Sequence, residues 1–139
     1  MPTPLHAFVA AGLGFPSLLH AEAGWFATDR ITVEAHYANV IFCHEVGLGA
    51  SAWLLGQADG RPPRHSLLVT ADISVNPVSR PFQLASGGDR LGAYFGTWAG
   101  WGYLGEHGLH VRAQVGAFAY ADSGFAVGPD ARVGVGWGF

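Results

Sequence analysis

The chain contains no lysine. All of its fixed positive charge comes from seven arginines, and ten acidic residues bring the net charge to −3. Charged residues make up only 12% of the sequence, about half the roughly 25% of a typical soluble domain. The arginines are scattered, so the basic stripe of a nucleic-acid-binding surface is excluded. There is one cysteine, Cys43. It has no partner for an internal disulfide and no second thiolate for a metal site. No stretch approaches the ~20 continuous apolar residues of a membrane-spanning helix. Linkers, charge runs and sequence repeats are also missing, which leaves a single domain, residues 1–139, long enough to bury a core. What is plentiful is oil and glycine: half the residues are hydrophobic and 21 are Gly, with a mean hydropathy of +0.25.

That oil is arranged with a step of two. The chain closes on "RVGVGWGF", where Val133, Val135, Trp137 and Phe139 alternate with Arg132, Gly134, Gly136 and Gly138. Such alternation marks a strand with two unlike faces. Carried back from the C-terminus, the phase predicts eight strands at 4–13, 18–28, 30–38, 44–55, 65–75, 89–102, 109–121 and 130–139. One face is uncharged throughout and holds Val9, Leu19, Trp25, Val33, Leu48, Val69, Phe95, Ala113 and Val135, with Thr97 its one polar residue. All eight prolines, at 2, 4, 16, 62, 63, 77, 81 and 129, are expected at a terminus or in a connection, because a paired strand needs its amides.

The other face carries the chemistry. Glu22, Glu34, His36, Glu45, Asp72, Arg90, Arg112 and Arg132 share it with His6, His20, Ser51, Thr70, His110 and Gln114. Among them stand many glycines and the aromatics Phe8, Phe26, Trp53, Tyr94, Trp98 and Phe118. This is a poor surface for water and a good filling for a narrow barrel. Gly relieves crowding at inward positions, a neighbouring ring covers the gap, and carboxylates pair with guanidiniums. An apolar outside with a polar inside follows if the solvent is lipid, where only a closed barrel satisfies every backbone group. The predicted fold is all-β, a closed antiparallel up-and-down transmembrane β-barrel of eight strands.

On these features the chain resembles the small eight-stranded outer-membrane β-barrels of the OmpA-domain and OmpX type. The final "VGVGWGF" resembles the C-terminal signal read by the barrel-assembly machinery, carried here by Val133, Val135, Trp137 and Phe139. The resemblance implies a bacterial outer-membrane location, both termini in the periplasm, outer-membrane lipids as surroundings and a monomeric state. Outer loops then fall at "GFPS", 39–43, 76–88 and 122–129, which are short for the family and argue against a receptor or adhesin. Trp25, Tyr37, Trp101 and Tyr103, near strand ends, suit the aromatic girdle. The early "LHAFVAAGLGFPSLLHAEA" is loosely like a signal peptide. It lacks a basic start and is broken by Gly and Pro, so it is read as two strands. The Met before "PTP" reads as an added initiator on a mature chain whose signal has been removed.

The motif fragments carry no reaction. "HEVGL" lacks the second His of a zincin and sits in a strand, and "GLGFPS" and "GLGASA" open no helix. "EHGLH" places His107 and His110 in and beside a turn. Barrel enzymes such as lipid A deacylases and acyltransferases need Ser, His and an acid on the lipid side. Here "HS" at 65–66 points to opposite faces. The pairs His20 with Glu22 and Glu34 with His36 are read as parts of a lumen network. No catalytic residue, metal site, cofactor or nucleic-acid partner is assigned. The expected function is non-enzymatic, either structural or in binding a small solute or partner. The alternatives are an outer-membrane lipid-modifying enzyme and a soluble lipocalin-like ligand-binding barrel.

Overall fold

The computed structural model describes residues 6–15, 17–40, 43–56, 62–75, 93–121 and 125–139. Eight strands run in chain order: β1 (Ala7–Phe15), β2 (Ser17–Phe26), β3 (Ile31–Val40), β4 (Cys43–Trp53), β5 (His65–Val75), β6 (Ala93–Leu104), β7 (Leu109–Ala121) and β8 (Phe125–Gly138). Each pairs antiparallel with the next, and β8 pairs with β1, so the sheet closes. No edge remains along the paired length, which is how a barrel satisfies its backbone without water.

Closure has a definite stagger. Partners followed round the barrel from Val9 lead through Ala23, Ala35, Leu48, Ile73, Phe95 and Ala119 to Val127 on β8. The direct partner of Val9 on β8 is Trp137, so one circuit slips by ~10 residues, and a slip of that size tilts the strands by roughly 40°. Strands of about 10–12 residues at this tilt rise roughly 25 Å, the height of the apolar band on an outer-membrane barrel.

Every residue on that circuit belongs to the apolar face. Val9, Leu13, Leu19, Val33, Leu48, Val69, Ile73, Phe95, Val115, Val133 and Val135 are all exposed, while Glu22, Glu34, Ser51, Thr70, His110, Arg112 and Gln114 are buried. This is the reverse of a soluble ligand-binding barrel, in which the apolar face would pack inward.

The first described residues meet the last. The carbonyl of Phe139 accepts from the amides of His6 and Ala7 at 2.9 and 3.0 Å, and the Phe139 amide donates to Ala7 at 2.9 Å. This terminal end also holds the tight β6–β7 turn. There Gly108 adopts φ +94°, a left-handed conformation that costs other L-residues energy. At the opposite, distal end β1, β3, β5 and β7 finish and β2, β4, β6 and β8 begin.

Several expectations need correction. β1 extends to Phe15 where 13 was expected, and β2 and β4 stop at Phe26 and Trp53 rather than 28 and 55. β3 continues to Val40 and β4 begins at Cys43, so most of the expected loop 39–43 is strand. β6 runs on to Leu104 instead of ending at 102, and β8 begins at Phe125 instead of 130, so the expected loop 122–129 is mainly strand as well. Pro129 therefore lies inside a strand, opposite Ala117. It is tolerated because β8 has outrun β1 there: their pairing stops at Phe15 opposite Ala131, and a position bonded on one side only can spare an amide. His6, expected on the inner face, precedes β1 and is exposed. The expected loop 76–88 and the start of the expected sixth strand, including Arg90, lie outside the described residues.

Candidate functional site

The lumen is the part of the molecule with chemistry in it, and it is filled in tiers. At the terminal end Phe8, Phe26, Trp53, Leu68 and Leu104 form an apolar plug. Ring centroids lie 5.8 Å apart for Phe8 and Phe26, and 6.1 Å for Phe26 and Trp53. The plug is drawn from β1, β2, β4, β5 and β6, each contributing an inward position near its terminal end.

Arg112 of β7 stands directly on this plug, its guanidinium 4.7 Å from the Phe8 ring centre and 5.9 Å from that of Trp53. It grips Glu34 of β3 with two parallel bonds, Nη2 to Oε1 at 2.6 Å and Nη1 to Oε2 at 2.8 Å. A second carboxylate, Glu22 of β2, lies 3.7 Å from Nη1. Thr32 donates to Glu34 Oε1 at 2.6 Å, and Arg112 Nε donates to His110 Nε2 at 2.9 Å. A His accepting at Nε2 keeps its proton on Nδ1 when neutral. Arg112 and Glu34 are 3% and 4% exposed, so this is a buried ion pair whose members depend on each other.

A neutral tier follows. Ser51 and Thr70 share a hydrogen bond at 2.7 Å, Gln114 Nε2 donates to Thr70 at 2.7 Å, and Arg132 Nε donates to Gln114 Oε1 at 3.3 Å. Arg112 Nη1 reaches Ser51 at 3.4 Å. One chain of contacts therefore runs from the Glu34–Arg112 pair to Arg132.

The distal tier is a second charged group. Arg132 Nη1 lies 3.7 Å from Asp72 Oδ2, and His36 Nε2 lies 3.8 Å from both Asp72 and Glu45. Ser74 donates to Glu45. The Arg132 guanidinium packs over the Trp98 indole at 4.1 Å, and Trp98 Nε1 donates to Asp130 Oδ2 at 2.7 Å. The indole lies across Gly96, where any Cβ would overlap it, so that glycine is what lets the ring lie flat against the wall. Beside this tier a cavity of about 50 Å³ stays open.

The named lumen residues thus fall into two groups, Glu22, Glu34 and Arg112 below and His36, Glu45, Asp72 and Arg132 above. Glu34 and His36 share a face, but Arg112 and Thr32 hold the first, while His36 meets Glu45 and Asp72. Asp130, the first residue of the expected eighth strand, was not assigned to the lumen; its parity with Arg132 was the available signal. On the outside, Trp25, Trp101 and Tyr103 lie towards the terminal end, where His65, Trp101 and Tyr103 stack and Arg64 packs over Tyr103 at 5.8 Å. Tyr37 lies towards the distal end, hydrogen-bonded to His44 Nδ1. Val133, Val135, Trp137 and Phe139 point outward, Phe139 being 64% exposed. His65 is exposed and Ser66 buried. Among the described residues no group of three His, Cys, Asp or Glu side chains has the arrangement to hold a metal ion.

These features define a closed eight-stranded up-and-down barrel with its polarity reversed, the architecture of the OmpA-type barrels. Among solved structures the chain is similar to the N-terminal β-barrel domain of Pseudomonas aeruginosa OprF, with a TM-score of 0.65 over 99% of this chain and 100% of that one. Sequence identity is 17%, so the likeness is one of fold. No protein-family model matches the chain, and no curated protein sequence matches it.

Proposed function

We propose that the chain is an integral outer-membrane β-barrel with a non-enzymatic, structural role, monomeric and plugged against bulk flow. The observation that carries this is the reversed polarity: an unbroken belt of exposed Val, Leu, Ile, Phe and Trp surrounds a buried ion-pair network. Large apolar surfaces of this kind are unstable in water and neutral in lipid. The fold shared with the OprF barrel domain supports the same reading. Val133, Val135, Trp137 and Phe139 serve as the signal through which the assembly machinery receives the last strand, and the aromatic clusters anchor the two rims. The deciding experiment is to dilute denatured chain into buffer, detergent micelles and phospholipid vesicles. The reading requires β-rich circular dichroism and a heat-dependent shift in gel mobility with amphiphile, and aggregation without it. A stable monomer in plain buffer would remove the membrane from the proposal.

A further inference from the structure

Beyond the Gln114 tier a cavity stays open among the described residues, and its wall carries an uneven charge. Among the described residues four carboxylates, Glu22, Glu45, Asp72 and Asp130, stand on its wall with one guanidinium, Arg132, and the imidazoles of His20 and His36. Glu22 is shared with Arg112 at 3.7 Å, and Arg132 is committed to Asp72, Gln114 and the Trp98 ring. Among the described residues carboxylates therefore outnumber guanidiniums around this space.

Two buried polar atoms on this wall have no hydrogen-bond partner, Asp130 Oδ1 and His20 Nδ1. Both side chains are 9% exposed. The Trp98 indole holds Oδ2 of Asp130 at 2.7 Å, which fixes the carboxylate and leaves Oδ1 open. An unpaired buried carboxylate oxygen is costly unless something donates to it.

We propose that the distal cavity binds a small organic cation bearing N–H donors, an alkylammonium or guanidinium ion, with Asp130 as its anchor. Size sets the class. About 10–15 Å³ of such space holds one water, so the cavity of about 50 Å³ takes roughly four non-hydrogen atoms. Phe118 and Trp98 line the same space, and aromatic walls suit a weakly hydrated cation better than a strongly hydrated one. An inorganic divalent ion fits less well, because among the described residues no three His, Cys, Asp or Glu side chains are arranged to hold one. The inference rests on the lumen, not on the membrane, so it stands or falls separately from the role proposed above.

The test uses the full chain folded in micelles, with folding verified by heat-dependent gel mobility. Methylammonium and guanidinium chlorides at low millimolar concentration are titrated while the Trp98 indole N–H resonance is followed. Potassium and tetramethylammonium chlorides at equal ionic strength serve as comparisons. Saturable shifts with the N–H donors alone are expected. Asp130→Asn, which keeps an acceptor for Trp98, should weaken binding about tenfold or more, since hydrogen bonds to charged groups contribute roughly 1.5–3 kcal/mol. Glu106→Gln, in the β6–β7 turn, should leave binding unchanged. Unsaturable shifts, equal shifts with potassium or tetramethylammonium, or undiminished binding to Asp130→Asn would each overturn the proposal. The comparison of methylammonium with tetramethylammonium needs only the unaltered chain, so it decides the matter even if the variant fails to fold.

Discussion

Removing the Arg112 side chain strips Glu34 of both its guanidinium bonds and leaves a carboxylate against an aromatic plug. Breaking a buried pair in this way costs about 3–5 kcal/mol. Arg112→Ala should therefore lower the denaturation midpoint in vesicles steeply. Adding Glu34→Gln should recover part of the loss, because the stranded charge is gone. Arg64 makes a comparable ion pair with Glu106 at 3.3 Å, but in the open, and Arg64→Ala should leave the midpoint unchanged. A second residue-scale comparison uses neighbours in β7. Ala113 is exposed on the outer face, whereas Gln114 is 3% exposed and bonded to Thr70 and Arg132. Ala113→Arg puts a guanidinium into the apolar belt, at about 2–4 kcal/mol near a bilayer midplane. Ala113→Leu should be accepted, since lipid yields where a packed core would not. Gln114→Glu keeps its contact with Arg132 and should cost clearly less than Ala113→Arg. Reversible unfolding in vesicles orders the three, and a damaging Ala113→Leu would contradict an outward-facing position 113.

At the scale of the strand, β8 carries the most information. The residue that follows it, Phe139, closes the sheet through its backbone bonds with Ala7, yet its ring lies outside and packs no core. Deleting Phe139 should therefore lower insertion in cells far more than refolding in detergent, scored by surface accessibility in one case and gel mobility in the other. Equal losses would make the ring a packing group instead of a signal. The same strand shows what was legible in the sequence. Val133, Val135, Trp137 and Phe139 set the two faces of β8. The same alternation, restarted after each connection, set those of the other strands, because within a strand a step of two leaves no choice of face once one position is known. The phase also ran correctly through Val127, Pro129 and Ala131, but the Pro and Gly there read as a turn. Local punctuation was trusted over periodicity, and the start of β8 was lost with it. Pairing was less legible. Alternation placed Glu34, Arg112 and Arg132 on one wall, but which carboxylate meets which guanidinium depends on barrel stagger. A stagger is a relation between strands, and no single strand contains it.

For the molecule as a whole, the plug of Phe8, Phe26, Trp53, Leu68 and Leu104 and the Arg112 tier above it block the axis. Eight strands leave an interior that side chains can fill, and here they do so at the terminal half. In planar bilayers the folded chain should give a quiet baseline, with no sustained conductance of porin size. A steady open level would mean that the plug does not hold. The distal half differs, with its cavity and surplus of carboxylates, so the two halves of one lumen have unlike chemistry: a stopper and a cup.

The meeting of His6, Ala7 and Phe139 at one rim has a further consequence. Positions this close, His6 and Phe139, can be joined by a short link, and the chain reopened elsewhere with the same strand neighbours. Opened in the β5–β6 connection, such a circular permutant would begin with β6 and end with β5. Every lumen contact would survive on paper, while Phe139 would become an internal residue. The permutant would separate the closing of the cylinder from the signal proposed for Phe139. Folding in detergent tests the first and insertion in cells the second.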